Sequence, residues 1–72
     1  MQPYEELANA IVLQAVKDYR KALSALRINP KNKAALAEAK ECETFFLSSW
    51  YRTLTSVDGQ MLINKLKSEV AK

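Results

Sequence analysis

The sequence predicts an all-α protein: one domain of three helices spanning residues 1–72. Its 72 residues lie mostly in stretches rich in Ala, Leu, Lys and Glu, which lose little on entering a helix. Apolar residues recur at spacings of three and four, and no alternation of period two lasts six residues, so strands find no support. Pro30 and Gly59 divide the chain into three segments, and its length leaves room for a single domain.

The first predicted helix runs from about Pro3 to Ile28. Proline suits the first helical position, because its missing N–H would have no partner there. The helix carries a broad apolar stripe formed by Ala8, Ile11, Val12, Ala15, Val16, Tyr19, Ala22, Leu23 and Leu26. At ~1.5 Å per residue such a helix extends over about 38 Å, so we expect its ends to reach past a compact core.

The second predicted helix runs from near Asn32, a suitable N-cap residue, to about Leu54. Pro30 disfavours helical geometry at Asn29, which predicts a turn between the first two helices. The apolar stripe of the second helix includes Leu36, Ala39, Phe46, Trp50 and Leu54, and it is broadened by Ala35, Cys42, Phe45 and Leu47. The dense aromatic segment at residues 45–51 predicts that the centre of the core lies there.

The third predicted helix starts after Asp58, whose carboxylate can cap it, and spans roughly a dozen residues. Ile63, Leu66 and Val70 form its apolar stripe. Because a helix of this length is marginal on its own in water, we expect it to dock on the first two.

Composition excludes several functional classes. The chain has no His and a single Cys, Cys42, which argues against zinc sites, disulfide frameworks and His-based catalysis. A single Gly argues against phosphate-binding loops. Cys42, Ser48, Ser49 and Ser56 lack an activating base, so we expect a buried inert thiol, no enzymatic activity and no cofactor or metal. The chain shows no apolar run of ~18 residues and no signal peptide, so no membrane association is expected.

Positive charge is concentrated in one part of the chain. The net charge is +3, yet residues 17–33 contain six cations against Asp18 alone. These predicted partner- or anion-binding residues are Lys17, Arg20, Lys21, Arg27, Lys31 and Lys33. The first four share a face of the first helix opposite its apolar stripe. Such a face can bind nucleic acid, a nucleotide or an acidic protein surface, or can simply keep the protein soluble.

DNA binding is a second interpretation. The second and third helices would meet at a short turn containing Gly59, as in a helix-turn-helix, and polar side chains could project from the last helix: Gln60, Asn64, Lys65 and Lys67. Gln and Asn read adenine edges in the major groove. The strongest basic cluster, however, lies on the first helix, which favours a different mode of binding.

The size of the chain favours a homodimer. Burial of apolar surface contributes on the order of 110 kcal/mol for a chain of this size. Ordering the chain at ~1.5 kcal/mol per residue costs about the same. A partner subunit would supply additional burial, and we predict Phe45, Trp50 and Tyr51 as its aromatic interface residues. The alternative is a monomer whose extra aromatic side chains contact a different protein.

Several stretches of the chain have a distinctive residue order: residues 16–23 (VKDYRKAL), the turn at residues 29–32 (NPKN), residues 45–51 (FFLSSWY), and residues 54–60 (LTSVDGQ) followed by Leu62, Ile63 and Leu66. Together they resemble small helical proteins encoded by phages and prophages of Gram-positive bacteria. The resemblance implies a non-enzymatic accessory protein in the cytoplasm of a bacterial host. Such a protein would bind a host or phage protein and act as an inhibitor of the anti-defence, anti-CRISPR-like kind. The alternative is an oligomeric protein that binds an anion, a nucleotide or DNA.

Overall fold

The computed structural model describes the backbone of residues 3–71 and the side chains of residues 6–70. Four helices follow one another along the chain: α1 (Pro3–Ile28), α2 (Lys33–Phe46), α3 (Ser49–Leu54) and α4 (Gly59–Ala71). No strand occurs within the described backbone. The all-α prediction is confirmed, with α1, α2 and α4 as the three expected helices and α3 as a short additional one.

The turn between α1 and α2 forms as the sequence predicts. Asn32 precedes α2 with extended backbone geometry, and its side-chain oxygen accepts a hydrogen bond from the Ala35 N–H at 3.0 Å. The chain therefore reverses direction, and α2 runs back along α1. The direction is evident from Tyr19 and Glu43, which are bonded side chain to side chain although they lie 24 residues apart.

The second predicted helix is interrupted at Leu47 and Ser48. Ser48 has extended backbone angles, and its hydroxyl group both donates to the Phe45 carbonyl at 2.6 Å and accepts from the Tyr51 N–H at 3.2 Å. Serine side chains compete in this way with the hydrogen bonds of a continuing helix. As a result, α2 ends eight residues before the predicted boundary at Leu54, and Ser48 serves as the N-cap of α3.

The interruption changes which aromatic side chains are buried. Tyr51 is 1% exposed, whereas Trp50 is 56% exposed. The prediction that Trp50 belongs to the buried stripe was wrong, because it assumed that helical periodicity continues unbroken from residue 46 to residue 50. Leu36, predicted on the same stripe, is also exposed, whereas Ala35, predicted at the margin of the stripe, is buried.

The core is centred on Phe46. Its ring makes edge-to-face contacts with Tyr19 and Tyr51, each with centroids 5.7 Å apart. Aromatic pairs in this geometry contribute about 0.5–1.5 kcal/mol beyond the burial of their area. The buried cluster around it is formed by Tyr19, Ala22, Ala39, Cys42, Phe46, Tyr51, Ile63 and Leu66. All four helices therefore contribute side chains or contacts to one core.

The start of α4 is held against the end of α2. The Asp58 carboxylate accepts hydrogen bonds from the N–H groups of Gln60 and Met61 at 2.9 and 3.1 Å, which confirms the predicted cap. Gly59 directly faces the backbone of Phe46: a Cβ atom at this position would overlap the carbonyl oxygen and lie 2.8 Å from the carbonyl carbon. Its φ angle is not positive, so glycine is required here for space rather than for an unusual backbone conformation.

We therefore expect Gly59→Ala to lower the free energy of unfolding by about 2–3 kcal/mol, because the added methyl group must push α4 away from α2. Urea denaturation followed by circular dichroism measures the loss. Gln60→Ala, at the neighbouring exposed position, is the matched control and should change stability by less than about 0.5 kcal/mol. Equal stability of the two variants would contradict the close approach at Gly59.

Candidate functional site

The structure places four of the predicted cations on the outer side of α1: Lys17, Arg20, Lys21 and Arg27, here called the basic face. At 3.6 residues per turn they fall within an arc of about 120°, opposite the buried residues Tyr19 and Ala22. All four side chains are exposed. The shared orientation of the four cations follows from the periodicity of one helix, whereas their contacts also depend on how α4 packs.

One member of the basic face has an acidic partner that the sequence did not reveal. The Arg20 Nη2 atom lies 3.1 Å from the Glu69 Oε2 atom of α4, and both side chains are about half exposed. An ion pair this exposed stabilises by at most about 1 kcal/mol. Within the described residues, no ion pair involves Lys17, Lys21 or Arg27, so these three charges remain free to attract an anionic ligand.

An apolar side chain accompanies these charges. Leu13 lies one turn before Lys17, on the outer side of α1, and is 59% exposed. Leu13 is not part of the apolar stripe of α1, which agrees with its exposure. The basic face thus combines cationic groups with an exposed leucine, whose contact with water is unfavourable.

The other two predicted cations lie at one end of the molecule. Lys31 is in the turn between α1 and α2, and Lys33 is the first residue of α2. Both side chains are exposed. They extend the positive charge around the hairpin turn instead of adding to the basic face itself.

Only some of the aromatic side chains predicted to form an interface are exposed. Tyr51 is buried in the core, so its assignment to an interface was wrong. Phe45 is half-buried and packs edge-to-face on Trp50, with centroids 5.4 Å apart. These two rings border a shallow groove of about 410 Å³ lined by Ala10, Ile11, Gln14, Ala15, Asp18, Phe45 and Trp50.

A second cavity, also of about 410 Å³, lies between α3 and the start of α4. Tyr51 contributes to its lining, together with Arg52, Thr55 and Asp58. The Tyr51 hydroxyl is buried and has no hydrogen-bond partner within the described part of the chain. Burial, and to a lesser extent the negative charge of Asp58, raise the pKa of Tyr51 above its ordinary value. Tyr51 is therefore protonated near neutral pH. The Asp58 carboxylate accepts hydrogen bonds from the backbone of α4, so both side chains add polar atoms to the cavity.

The predicted DNA-reading side chains on α4 are exposed but partly engaged with other residues. The Gln60 Nε2 donates to the Asn64 Oδ1 at 3.1 Å, and the Lys67 Nζ lies 3.8 Å from the Glu43 carboxylate. Lys65 is exposed and forms no ion pair with another described residue. Base-edge readout by this helix would first have to break the Gln60–Asn64 hydrogen bond.

Among the described residues, the cysteine thiol is buried and the acidic side chains form no metal-binding cluster. Cys42 is buried, as predicted, and its pKa is raised first by burial and then by nearby carboxylates such as Asp18 and Glu38. The thiol is therefore uncharged at neutral pH. Among the described residues, no group of three His, Cys, Asp or Glu side chains could hold a metal ion. None of the helices in that part of the chain combines the length and the apolar character needed to cross a membrane.

A polar contact joins α1 to α2 behind the basic face. The Tyr19 hydroxyl donates to the Glu43 Oε2 atom at 2.7 Å. The pKa of Tyr19 is raised far above its ordinary value, mainly by burial and additionally by the hydrogen bond to Glu43 and its negative charge. The hydroxyl therefore keeps its proton, and the hydrogen bond, at pH values where an exposed tyrosine would ionise.

We expect Tyr19→Phe to lower the free energy of unfolding at pH 7 by about 1–2 kcal/mol, because a hydrogen bond to a carboxylate is lost. The folded-state pKa lies above the unfolded value of about 10, so this contribution is fully present below pH ~10 and is lost as the pH rises further. Urea denaturation at several pH values should show the difference between the wild type and the variant shrinking above pH ~10.

Tyr51→Phe is the matched control, since it removes a buried hydroxyl that lacks a partner in the described structure. Its cost at pH 7 should be smaller than that of Tyr19→Phe, because burying an unpaired hydroxyl is itself unfavourable. Equal losses for the two variants would show that the Tyr19–Glu43 hydrogen bond contributes nothing.

The described surface therefore offers a cationic face with an exposed leucine, a shallow aromatic groove and a polar cavity. No family model matches this chain, and comparison with characterised proteins and with solved structures finds no significant similarity.

Proposed function

We propose that this chain is a non-enzymatic binding protein that recognises an acidic surface of another protein through the basic face of α1. The observation that supports it is the combination of three exposed cations, Lys17, Lys21 and Arg27, with the exposed Leu13 on the outer side of the same helix. Clustered charge of one sign attracts an oppositely charged partner and accelerates its association. The leucine then adds contact area that leaves water on binding.

The leucine favours a protein over a nucleic acid as the ligand. A phosphate backbone binds cationic side chains but makes no apolar contact with Leu13. An acidic protein surface supplies carboxylates for the cations and apolar side chains for the leucine. Arg27 suits such carboxylates in particular, because a guanidinium group can donate two parallel hydrogen bonds to one of them.

The proposed consequence of binding is inhibition of the partner. A chain of 8.1 kDa that docks by one helical face covers a patch of its partner and denies it to other ligands. The resemblance of the sequence to phage and prophage proteins of Gram-positive bacteria favours a host protein as the partner, and a defence enzyme as the kind of host protein. The same face would bind an anionic nucleotide or nucleic acid in the alternative interpretation, and the experiment below separates the two.

We expect the double variant Lys17→Glu/Lys21→Glu to weaken capture of the partner by about 100-fold or more, because two attractive contacts become repulsive. The measurement is quantitative pull-down from a lysate of a Gram-positive bacterium, with and without nuclease treatment. Lys40→Glu/Lys65→Glu carries the same change of net charge on exposed positions of α2 and α4, and it should retain binding. Equal losses in both double variants would indicate non-specific attraction and would refute the proposal, as would loss of capture on nuclease treatment.

Leu13→Gln distinguishes a protein partner from a nucleic acid or nucleotide, because it changes an apolar side chain without changing the charge. A protein partner should bind this variant about 10-fold more weakly, since an apolar contact is lost and no charge changes. Binding of a nucleic acid or nucleotide should be unchanged. Isothermal titration of the variant against nucleotides and against duplex DNA, beside the pull-down, gives both measurements.

A further inference from the structure

One part of α1 has no opposing long helix. The helix α1 has 26 residues and α2 has 14, so at ~1.5 Å per residue they extend over about 39 and 21 Å. Since the hairpin turn joins the C-terminal end of α1 to α2, the excess lies at the N-terminal end of α1. The longest dimension of the molecule, 41 Å, corresponds to the length of α1. The short helix α3 also contacts α1, and its Trp50 lines the same groove as Ala10 and Ile11 of α1.

Apolar side chains remain exposed where α2 is missing. Leu7 is 62% exposed, Trp50 is 56% exposed and Ile11 is half-buried. Leu7, Ile11, Gln14 and Asp18 are spaced by four, three and four residues, so they form one strip along α1. Ile11, Gln14 and Asp18 of this strip line the shallow groove of about 410 Å³ together with Trp50, and Leu7 lies one turn before Ile11. The strip lies on a different side of α1 from the basic face.

The molecule is elongated and exposes more surface than a compact chain of its mass. A compact monomer of 8.1 kDa is expected to expose about 4,500 Å², and this chain exposes 5342 Å². A stable interface of standard size buries about 800 Å² on each partner, which is a modest fraction of this surface.

We propose that a second copy of this chain covers the groove in a symmetric dimer. The N-terminal halves of the two α1 helices pack antiparallel, and Trp50 of each copy enters the groove of the other. In a two-fold interface the same patch serves both subunits, so each copy must supply both the protruding group and the groove. In this chain Trp50 is 56% exposed at the edge of the groove that it helps to line, so each copy presents both an exposed ring and a groove.

The polar groups of the groove match the indole ring that would enter it. Trp carries one N–H donor and no acceptor. The groove contains two acceptors, the Asp18 carboxylate and the Gln14 side-chain carbonyl; Asp18 Oδ1 already accepts from the Gln14 Nε2 at 3.0 Å, which leaves Oδ2 for an incoming donor. A buried Trp with a satisfied N–H is the kind of side chain that dominates interface energetics. The interface therefore retains Phe45 and Trp50 from the sequence-based prediction, and Leu7 and Ile11 take the place of Tyr51.

The test is the mass of the protein in solution across a concentration range from about 1 to about 100 µM, measured by sedimentation equilibrium. We expect the wild type to approach about 16 kDa, twice the chain mass of 8.1 kDa, at the upper end. Leu7→Glu/Trp50→Glu should raise the dissociation constant by about 100-fold or more, because a charge replaces each of the two most exposed groups of the interface. A wild type that remains at 8.1 kDa throughout overturns the proposal.

Leu36→Glu/Met61→Glu is the matched control, since these exposed apolar residues lie on α2 and α4 away from the groove. This variant should dimerise as the wild type does. If it dissociates while Leu7→Glu/Trp50→Glu remains dimeric, another surface forms the interface and the proposal is wrong.

A cross-linking measurement decides the matter independently of whether the Glu variants fold. Gln14→Cys places an exposed thiol on the strip, whereas Cys42 is buried. A short bismaleimide should couple two copies of Gln14→Cys in high yield. Ser24→Cys, exposed on the outer side of α1 with the basic face, should give little coupling. Equal yields from both positions, or none from Gln14→Cys, would refute the antiparallel arrangement.

Discussion

The position of Phe46 at the end of α2 is the constraint on which the other elements depend. Its ring lies between Tyr19 and Tyr51 in the core, and its carbonyl group faces Gly59 at the start of α4. One residue therefore joins α1, α2, α3 and α4. Because a side chain at residue 59 would collide with this carbonyl, α4 can approach α2 this closely only at a glycine.

Two polar side chains, Ser48 and Glu43, also help to hold the helices together around Phe46. The Ser48 hydroxyl ends α2 and begins α3, which directs Tyr51 inward. Glu43 accepts the Tyr19 hydroxyl proton in a hydrogen bond and lies 3.8 Å from Lys67, so its carboxylate connects three helices. Polar contacts of this kind stabilise modestly, but they select one arrangement of helices that apolar burial alone would leave less defined.

The early end of α2 also determines what the surface presents. Since α2 is shorter than predicted, the N-terminal part of α1 keeps an apolar strip that no long helix covers. The basic face lies on another side of the same helix. A single helix thus provides a cationic surface proposed for a protein partner and an apolar groove proposed for a second copy of the chain. The two surfaces use different residues, so each can be altered while the other is retained.

The amino-acid sequence by itself determined the features that depend on local rules. The helical class, the caps at Asn32 and Asp58, the hairpin turn and the exposed cations of α1 all follow from residue preferences and helical periodicity, which act over a few residues. The tertiary structure decided the rest, because it depends on contacts between distant residues. The pairing of Arg20 with Glu69, the exchange of Trp50 for Tyr51 in the core and the need for glycine at residue 59 arise only when the helices pack. The spacing of apolar residues in the sequence cannot show them, because the interruption of the helix at Ser48 changes which of the following residues face the core.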